Sequence, residues 1–241
     1  MEKNRAPYGL RIIHSCLSCP VREEGLFCQL GPEALAELNA IRQTSVYPKG
    51  AVLFVEGQPC RGVFVLCAGK AKLRASSARG RSVIVRVAEP GEVLGLSAAL
   101  SNTAYEVSAE TLEPVQVNFL PREEFLRFLQ SHGEVSVRVA QHLSAELRRG
   151  YHQLARIALA PTARAKLAGL LLDWAGRNAR SDSGTLRFQL HLSHEEMAEL
   201  IGSSRETVTR ILSDFRRRGL LKTKGTLVTL PDPAKFTGLL T

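Results

Sequence analysis

Between Tyr47 and about Leu120 the apolar residues come in short β-branched and aliphatic runs (AVLFVE, GVFVLCAG, SVIVRVA, VQVNFL), punctuated by Gly50, Gly57, Gly62, Gly69, Gly80 and Gly91. Such runs at close, regular spacing predict the strands of a small β-sandwich or roll, with no helix among them. On both sides the period changes. Upstream, PEALAELNAIR carries Leu35, Leu38 and Ile41 at helical spacing behind Gly31-Pro32, so a short helix is expected. Before it, Met1 to about Leu30 shows no sustained period and reads as an irregular arm. Downstream, Arg122 to about Leu159 lacks proline and reads as one helix. Within it Ala140, Leu143, Leu147, Gly150, Leu154 and Ile157 follow one another at spacings of 3, 4, 3, 4, 3, the seam of a parallel two-stranded coil. Val135, Val139 and His142 offer a second face that would pack on the strands instead.

Ala160-Pro161-Thr162 ends that helix, because proline cannot continue it, and a hinge is expected there. A helix RAKLAGLLLDWAG, a loop RNARSDSG and a strand TLRFQLHL follow. Ser193, with Glu196 three residues on, forms a capping box for the helix HEEMAELIG, and Gly202 closes it. Ser203 or Ser204 then caps RETVTRILSDFRRRG, whose Val208, Ile211, Leu212 and Phe215 make a buried stripe. That leaves Arg205, Glu206, Thr209 and Arg210 exposed. Two short helices joined by a glycine turn, the second polar at its start, are the shape that enters a DNA major groove. Arginine can donate twice to guanine O6 and N7, and a carboxylate can accept from cytosine N4, so those four residues are the candidate base readers. Ser193, Ser203, Ser204 and Thr207 are candidate phosphate contacts at the helix N-termini. The segment GLLKTKGTLVTL reads as a two-stranded wing with Lys222 and Lys224 near its tip, completing a winged helix.

The organisation expected is therefore α+β in four parts: a cysteine-containing arm (1–30), a β-roll (31–121), a dimerisation helix (122–159) and a winged helix-turn-helix (160–241). Charge agrees with a polyanionic partner. The chain carries 32 Lys and Arg against 23 Asp and Glu, a net +9, of which +5 lies from residue 160 onward. No apolar stretch is long enough to span a membrane and MEKNRAPYGL lacks the core of a signal peptide, so a cytoplasmic chain without a membrane partner is expected. Neither a glycine-rich phosphate loop nor a catalytic aspartate loop is present, and no nucleophile triad stands out, so no enzyme is expected.

HLSHEEMAELIGSSRETVTRILSDFRRRGLL resembles the helix-turn-helix of the CRP/FNR family of bacterial regulators, and from about Pro32 to Phe236 the order of elements resembles that family too. The resemblance implies a cyclic-nucleotide-binding-like roll, a homodimer and contact with RNA polymerase. Its S-R-E-T-V-x-R run is the CRP-type version, which implies that Arg205, Glu206 and Arg210 read a palindrome of TGTGA-like half-sites centred about 34 Å apart.

Two sensors are open. Cyclic-nucleotide binders of the family hold the ribose with a glutamate and the phosphate with an arginine-serine pair. In PGEVLGLSAALSNTAYEVSAE, aligned on Gly95, those places fall on Leu96, beside Ser97, and on Thr103 and Ala104. A cyclic phosphate without a cationic partner would forfeit its charge-assisted hydrogen bonds, which argues against cyclic AMP but not against another small ligand in the pocket. The other candidate is the arm, where Cys16, Cys19 and Cys28 form a C-x2-C-x8-C cluster suited to an iron–sulfur cluster, zinc or neither. It resembles the N-terminal cysteines of the oxygen-sensing branch and implies a redox, oxygen or nitric oxide signal. Those relatives take a fourth ligand near the end of the roll, where this chain has Asn118, so the fourth ligand is unidentified; Cys60 and Glu113 are candidates. Cys67 reads as a core residue, and control without any effector remains a third reading.

Overall fold

The computed structural model describes residues 7–10, 12–16, 19, 25–77, 82–182 and 184–240, with backbone alone for 156–158, 177, 178 and 180–182. It forms two compact units, Met1–Leu147 and Arg148–Thr241.

The first unit is built on two four-stranded antiparallel sheets. One runs β1 (Gln43–Tyr47), β8 (Val115–Pro121), β3 (Gly62–Ala68), β6 (Val93–Leu94); the other runs β2 (Val52–Phe54), β7 (Ser108–Thr111), β4 (Ala71–Ser76), β5 (Ser82–Ala88). Side chains alternate across each strand, so β3 and β8 each feed two cores. Phe64 and Leu66 of β3 join Val115 and Val117 of β8 inside the roll. Val63 and Val65 point outward with Leu120, onto Phe27, α1 (Pro32–Ile41) and α3 (Arg122–Ser131). This outer core fastens the arm. Gln116, fully buried on that face, accepts from the Ile13 amide and donates to the Ile13 carbonyl, both at 2.7 Å. Arg42 donates to the His14 carbonyl at 2.6 Å and to Asn118 Oδ1 at 3.3 Å, and Thr44 donates to the same oxygen at 2.8 Å.

Two expectations need correction here. The roll contains a helix, α2 (Leu96–Ser101), buried through Leu96, Ala98 and Ala99. Six residues are too few to register a helical period among strand signals. The run 122–159 is two helices, α3 and α4 (Gly133–Leu159), because His132 leaves helical geometry at φ −125°, ψ 84°. Its ring lies 2.8 Å from the Glu37 carboxylate of α1. The apolar phase continues through this break, so periodicity does not register it.

Along α4, Val135 and Val139 are buried in the outer core with Leu143 packed beside them. The opposite side is apolar and open. Ala140 and Gly150 are exposed, and Val137, Leu147, Tyr151 and Leu154 are 57%, 57%, 63% and 66% exposed. Both faces read from the sequence therefore exist, with Leu143 leaning toward the roll; the Ile157 side chain lies outside the described residues.

In the second unit, Thr162 caps α5 (Ala163–Asn178) by accepting from the Ala165 amide at 3.1 Å. A four-stranded sheet runs β11 (Lys222–Lys224), β12 (Leu227–Leu230), β10 (Thr185–Gln189), β9 (Arg180–Asp182). The strand β9 lies in the stretch read as loop; at three residues its polar sequence gives no alternation, and pairing with β10 makes it. α5 packs on β10, and α6 (His194–Ile201), α7 (Arg205–Arg217) and α8 (Pro233–Thr237) pack against α5, with Phe215 and Phe236 fully buried edge to face at 5.2 Å. Among the described residues no helix is long and apolar enough to cross a membrane.

Candidate nucleic-acid interface and cysteine pocket

The capping box forms as expected: Ser193 Oγ accepts from the Glu196 amide at 3.2 Å and the Glu196 carboxylate accepts from the Ser193 amide at 2.8 Å. Gly202 ends α6 at φ 63°, a left-handed turn that other L residues adopt at a cost of about 1 kcal/mol. Ser204, not Ser203, caps α7, accepting from the Thr207 amide at 3.2 Å. Val208, Ile211, Leu212 and Phe215 are buried, which fixes the rotation of α7 and leaves Arg205, Glu206, Thr209 and Arg210 exposed. Lys222 and Lys224 are exposed on β11.

Electrostatics sharpen this picture. Backbone and Ser204 hydrogen bonds at the start of α7 hold Glu206 below the ordinary carboxylate range, so it is an acceptor at neutral pH. Asp214 is also held low, chiefly by Arg164, whose guanidinium donates to it at 2.6 Å and lies over the Phe215 ring. Arg217 adds a second bond from α7 itself. This ties α5 to the middle of α7, away from its exposed start.

Thr209 is less free than its exposure suggests. Its hydroxyl donates to the Arg205 carbonyl at 2.9 Å and lies 2.8 Å from His194 Nδ1. Having spent its one proton, it accepts from His194, which places the imidazole proton on Nδ1. Burial, then Arg216 and Arg205, push the His194 pKa down, consistent with a neutral ring. Sequence reasoning passed over His194 because its partner is fifteen residues away. A histidine whose folded pKa lies below its unfolded one takes up protons more readily when unfolded, so its contribution to stability is lost as pH falls below about 6.5. We expect the chain's thermal midpoint to drop on acidification from pH 7 to pH 5.5, and His194→Asn to reduce that drop; an identical pH slope for the variant would contradict this.

In the first unit the arm thiols converge. Cys16, Cys19 and Cys28 line one small pocket with Cys67 of β3, floored by Leu38, Val65, Asn118 and Leu120 and edged by Arg42. The pocket lining puts Cys67, with Val65, on the outer face of its strand, under the arm rather than inside the roll. The sulfur donates weakly to its own strand's Val65 carbonyl at 3.7 Å. Burial, with the charges of Cys16, Cys28 and Cys19, pushes the isolated Cys67 thiol up to about 12. Cys16 is raised by burial against the pull of Arg42. Gly25 belongs to the cradle: a β-carbon there would stand 2.5 Å from Cys28 Sγ and 3.0 Å from Gly91 Cα. Among the described residues no three His, Cys, Asp or Glu side chains stand ready to hold a metal ion. One ion needs its thiolates all about 2.3 Å from a single point, whereas an iron–sulfur cluster spreads them over several irons. Four thiols with a guanidinium at their edge are a donor set that an iron–sulfur cluster can use.

The other fourth-ligand candidates lie elsewhere. Cys60 contacts the Gly62 carbonyl at 3.4 Å, beside the Tyr105 hydroxyl, which donates to the same oxygen at 2.8 Å. Neither Cys60 nor Glu113 lines the arm pocket. Asn118 does, with its oxygen held by Arg42 and Thr44. Of the cassette positions, Gly95 precedes α2, Leu96 is buried in the outer core, and Ser97, Thr103 and Ala104 are exposed. None of the five lines the roll's open cleft of about 590 Å³, which is bounded by Tyr47, Phe54, Arg61, Tyr105 and Phe119 among others.

Two family models match this chain in the order of its two units: a cyclic nucleotide-binding domain over residues 44–132 and a Crp-like helix-turn-helix domain over residues 165–239. A CRP-like cAMP-activated global transcriptional regulator of Mycobacterium tuberculosis is 29% identical, over 88% of this chain and 94% of its own. The chain belongs to the CRP/FNR family of transcription regulators. The transcriptional activator protein FnrL of Cereibacter sphaeroides is likewise 29% identical, over 89% and 86%. The solved FixK2 of Bradyrhizobium japonicum shares the fold, with a TM-score of 0.72 at 22% identity, over 83% of this chain and 98% of that one. The CRP/FNR architecture expected from the sequence, a cyclic-nucleotide-binding-like roll followed by a DNA-binding helix-turn-helix, is thus the architecture found. The family is one of transcription regulators rather than enzymes.

Proposed function

We propose that this CRP/FNR regulator is a homodimer that reads a palindrome of TGTGA-like half-sites through Arg205, Glu206 and Arg210, and that a redox, oxygen or nitric oxide signal reaches it through Cys16, Cys19 and Cys28. The observation that carries the DNA reading is the start of α7, capped by Ser204, with three charged side chains in solvent above a fully buried stripe. A groove-reading helix needs that combination: a fixed rotation from the core and free hydrogen-bonding groups outside it. Thr209, with its hydroxyl committed to His194 and Arg205, offers its methyl group to a thymine rather than a hydrogen bond. Ser193, Ser203, Ser204, Thr207, Lys222 and Lys224 contact phosphates. The open apolar side of α4 supports the dimer, since contiguous apolar surface of this kind marks an interaction site. Contact with RNA polymerase and a cytoplasmic location rest on family membership.

For the sensor, an iron–sulfur cluster, when bound, supplies a group sensitive to oxidants, and the three arm thiolates would hold it. The chain's own residues do the rest: Gln116 and Arg42 hold the arm against the roll, Arg42 brings positive charge to the pocket, and Gly25 admits Cys28. Cyclic AMP is not the proposed effector, because the cassette lacks a cation to meet its phosphate. Selection from a random duplex pool with anaerobically purified chain should enrich a two-fold symmetric site with half-sites one helical turn apart. Exposure to air should change affinity for that site by about 5- to 150-fold, the usual range of such couplings. A pool with no enriched sequence would overturn the DNA reading, and an affinity indifferent to air would overturn the redox reading.

A further inference from the structure

Resting on the proposal that the arm cysteines hold a cluster, we propose that the fourth thiolate is Cys67 of β3. The position near the end of the roll is filled by Asn118, which has no thiol to give and whose oxygen is engaged by Arg42 and Thr44. Yet one strand away the sheet carries a cysteine on the correct face. β3 pairs with β8 so that Val65 lies opposite Asn118 and Leu66 opposite Val117, and the register shifts between Leu66 and Ala68, at Cys67. Val63 and Val65 face the arm, and the pocket lining puts Cys67 on that side as well. Cys67 lies two residues beyond Val65, at that shift, and lines the same pocket as Asn118, Cys16, Cys19 and Cys28.

Three features of the pocket suit four thiolates on one cluster. It is lined mainly by apolar side chains, Ile13, Phe27, Leu38, Val65 and Leu120 among them, which lowers the polarity around the sulfurs. A four-thiolate cluster carries net negative charge, and burying charge is costly unless a counter-charge is near. Arg42, fixed by the His14 carbonyl and Asn118, edges the pocket and supplies it. Finally, the Gly25 turn lets the arm approach Gly91 closely enough to bring Cys28 in. Each of the four sulfurs would hold an iron as the thiolate, its proton released to solvent, with no change in the oxidation state of the protein.

The test uses the full chain, expressed and purified without oxygen, read by visible absorption and by iron and acid-labile sulfide per chain. Cys67→Val keeps a β-branched apolar residue beside Val65, so the strand is expected to form. Wild type should hold about four iron and four sulfide. Cys67→Val should lose the cluster as completely as Cys16→Ser, at least about tenfold in absorbance, while Cys60→Ser keeps it. Asn118→Cys placed in the Cys67→Val background should restore absorbance, because both positions line the arm pocket. If Cys67→Val keeps wild-type iron while Cys16→Ser loses it, Cys67 is not the fourth ligand and the arm reading stands. If wild type itself carries neither iron nor sulfide, both the cluster reading and this assignment fall.

Discussion

Arg205→Ala is expected to weaken binding to the palindromic site by roughly 1–3 kcal/mol per half-site, about 5- to 150-fold, while affinity for bulk DNA changes little. The side chain stands exposed at the first position of α7 and its removal leaves the buried stripe of Val208, Ile211, Leu212 and Phe215 intact. The effect should therefore appear as lost discrimination, not lost folding. Arg210→Ala should behave alike at its own base pair. Lys222→Ala and Lys224→Ala, on the exposed β11, should weaken all sequences alike and flatten the salt dependence. Quantitative gel shifts on the selected site and on a scrambled duplex check all four. Equal losses on both duplexes for Arg205→Ala would make the arginine a phosphate contact.

The second large effect concerns α4. Leu147 and Leu154 are 57% and 66% exposed in the single chain. Burying a leucine is worth about 1.5–3 kcal/mol, and a two-fold seam would bury both residues of both protomers. Replacing them with glutamate also sets like charges opposite one another. Leu147→Glu with Leu154→Glu should therefore shift the dimer dissociation constant by more than about 100-fold, which is only about 2.7 kcal/mol. Sedimentation equilibrium should show a monomer at micromolar concentration, with palindrome affinity falling to that of a half-site. A variant that stays dimeric would place the dimer contact elsewhere. Val135 and Val139, buried on the roll side, are not part of this seam, and changing them should cost folding instead.

What could be read from the chain, and what could not, divides by the range of the interaction. The helix-turn-helix was legible residue by residue because its determinants are local: a capping box four residues long, a glycine at a left-handed turn and a buried stripe of four residues. The two faces of α4 were legible for the same reason. The features that were missed are made across the sheet or between helices. α2 and β9 are too short to carry a period. The break at His132, whose ring meets Glu37 ninety-five residues away, leaves the apolar phase unchanged. Thr209 reads as a free hydroxyl until His194 is placed against it. Cys67 alternates like any strand residue, and strand alternation alone cannot say whether the face it shares with Val63 and Val65 meets the roll interior or the arm.

The central claim is that the start of α7 meets base edges, and a double-mutant cycle between side chain and base tests it most directly. Binding of wild type and Arg205→Ala would be measured on the selected site and on the same site with the contacted guanine replaced by 7-deazaguanine, which lacks the N7 acceptor. The account predicts that the modified base costs wild type at least about fivefold and costs Arg205→Ala nothing further. Independent, additive losses would contradict it.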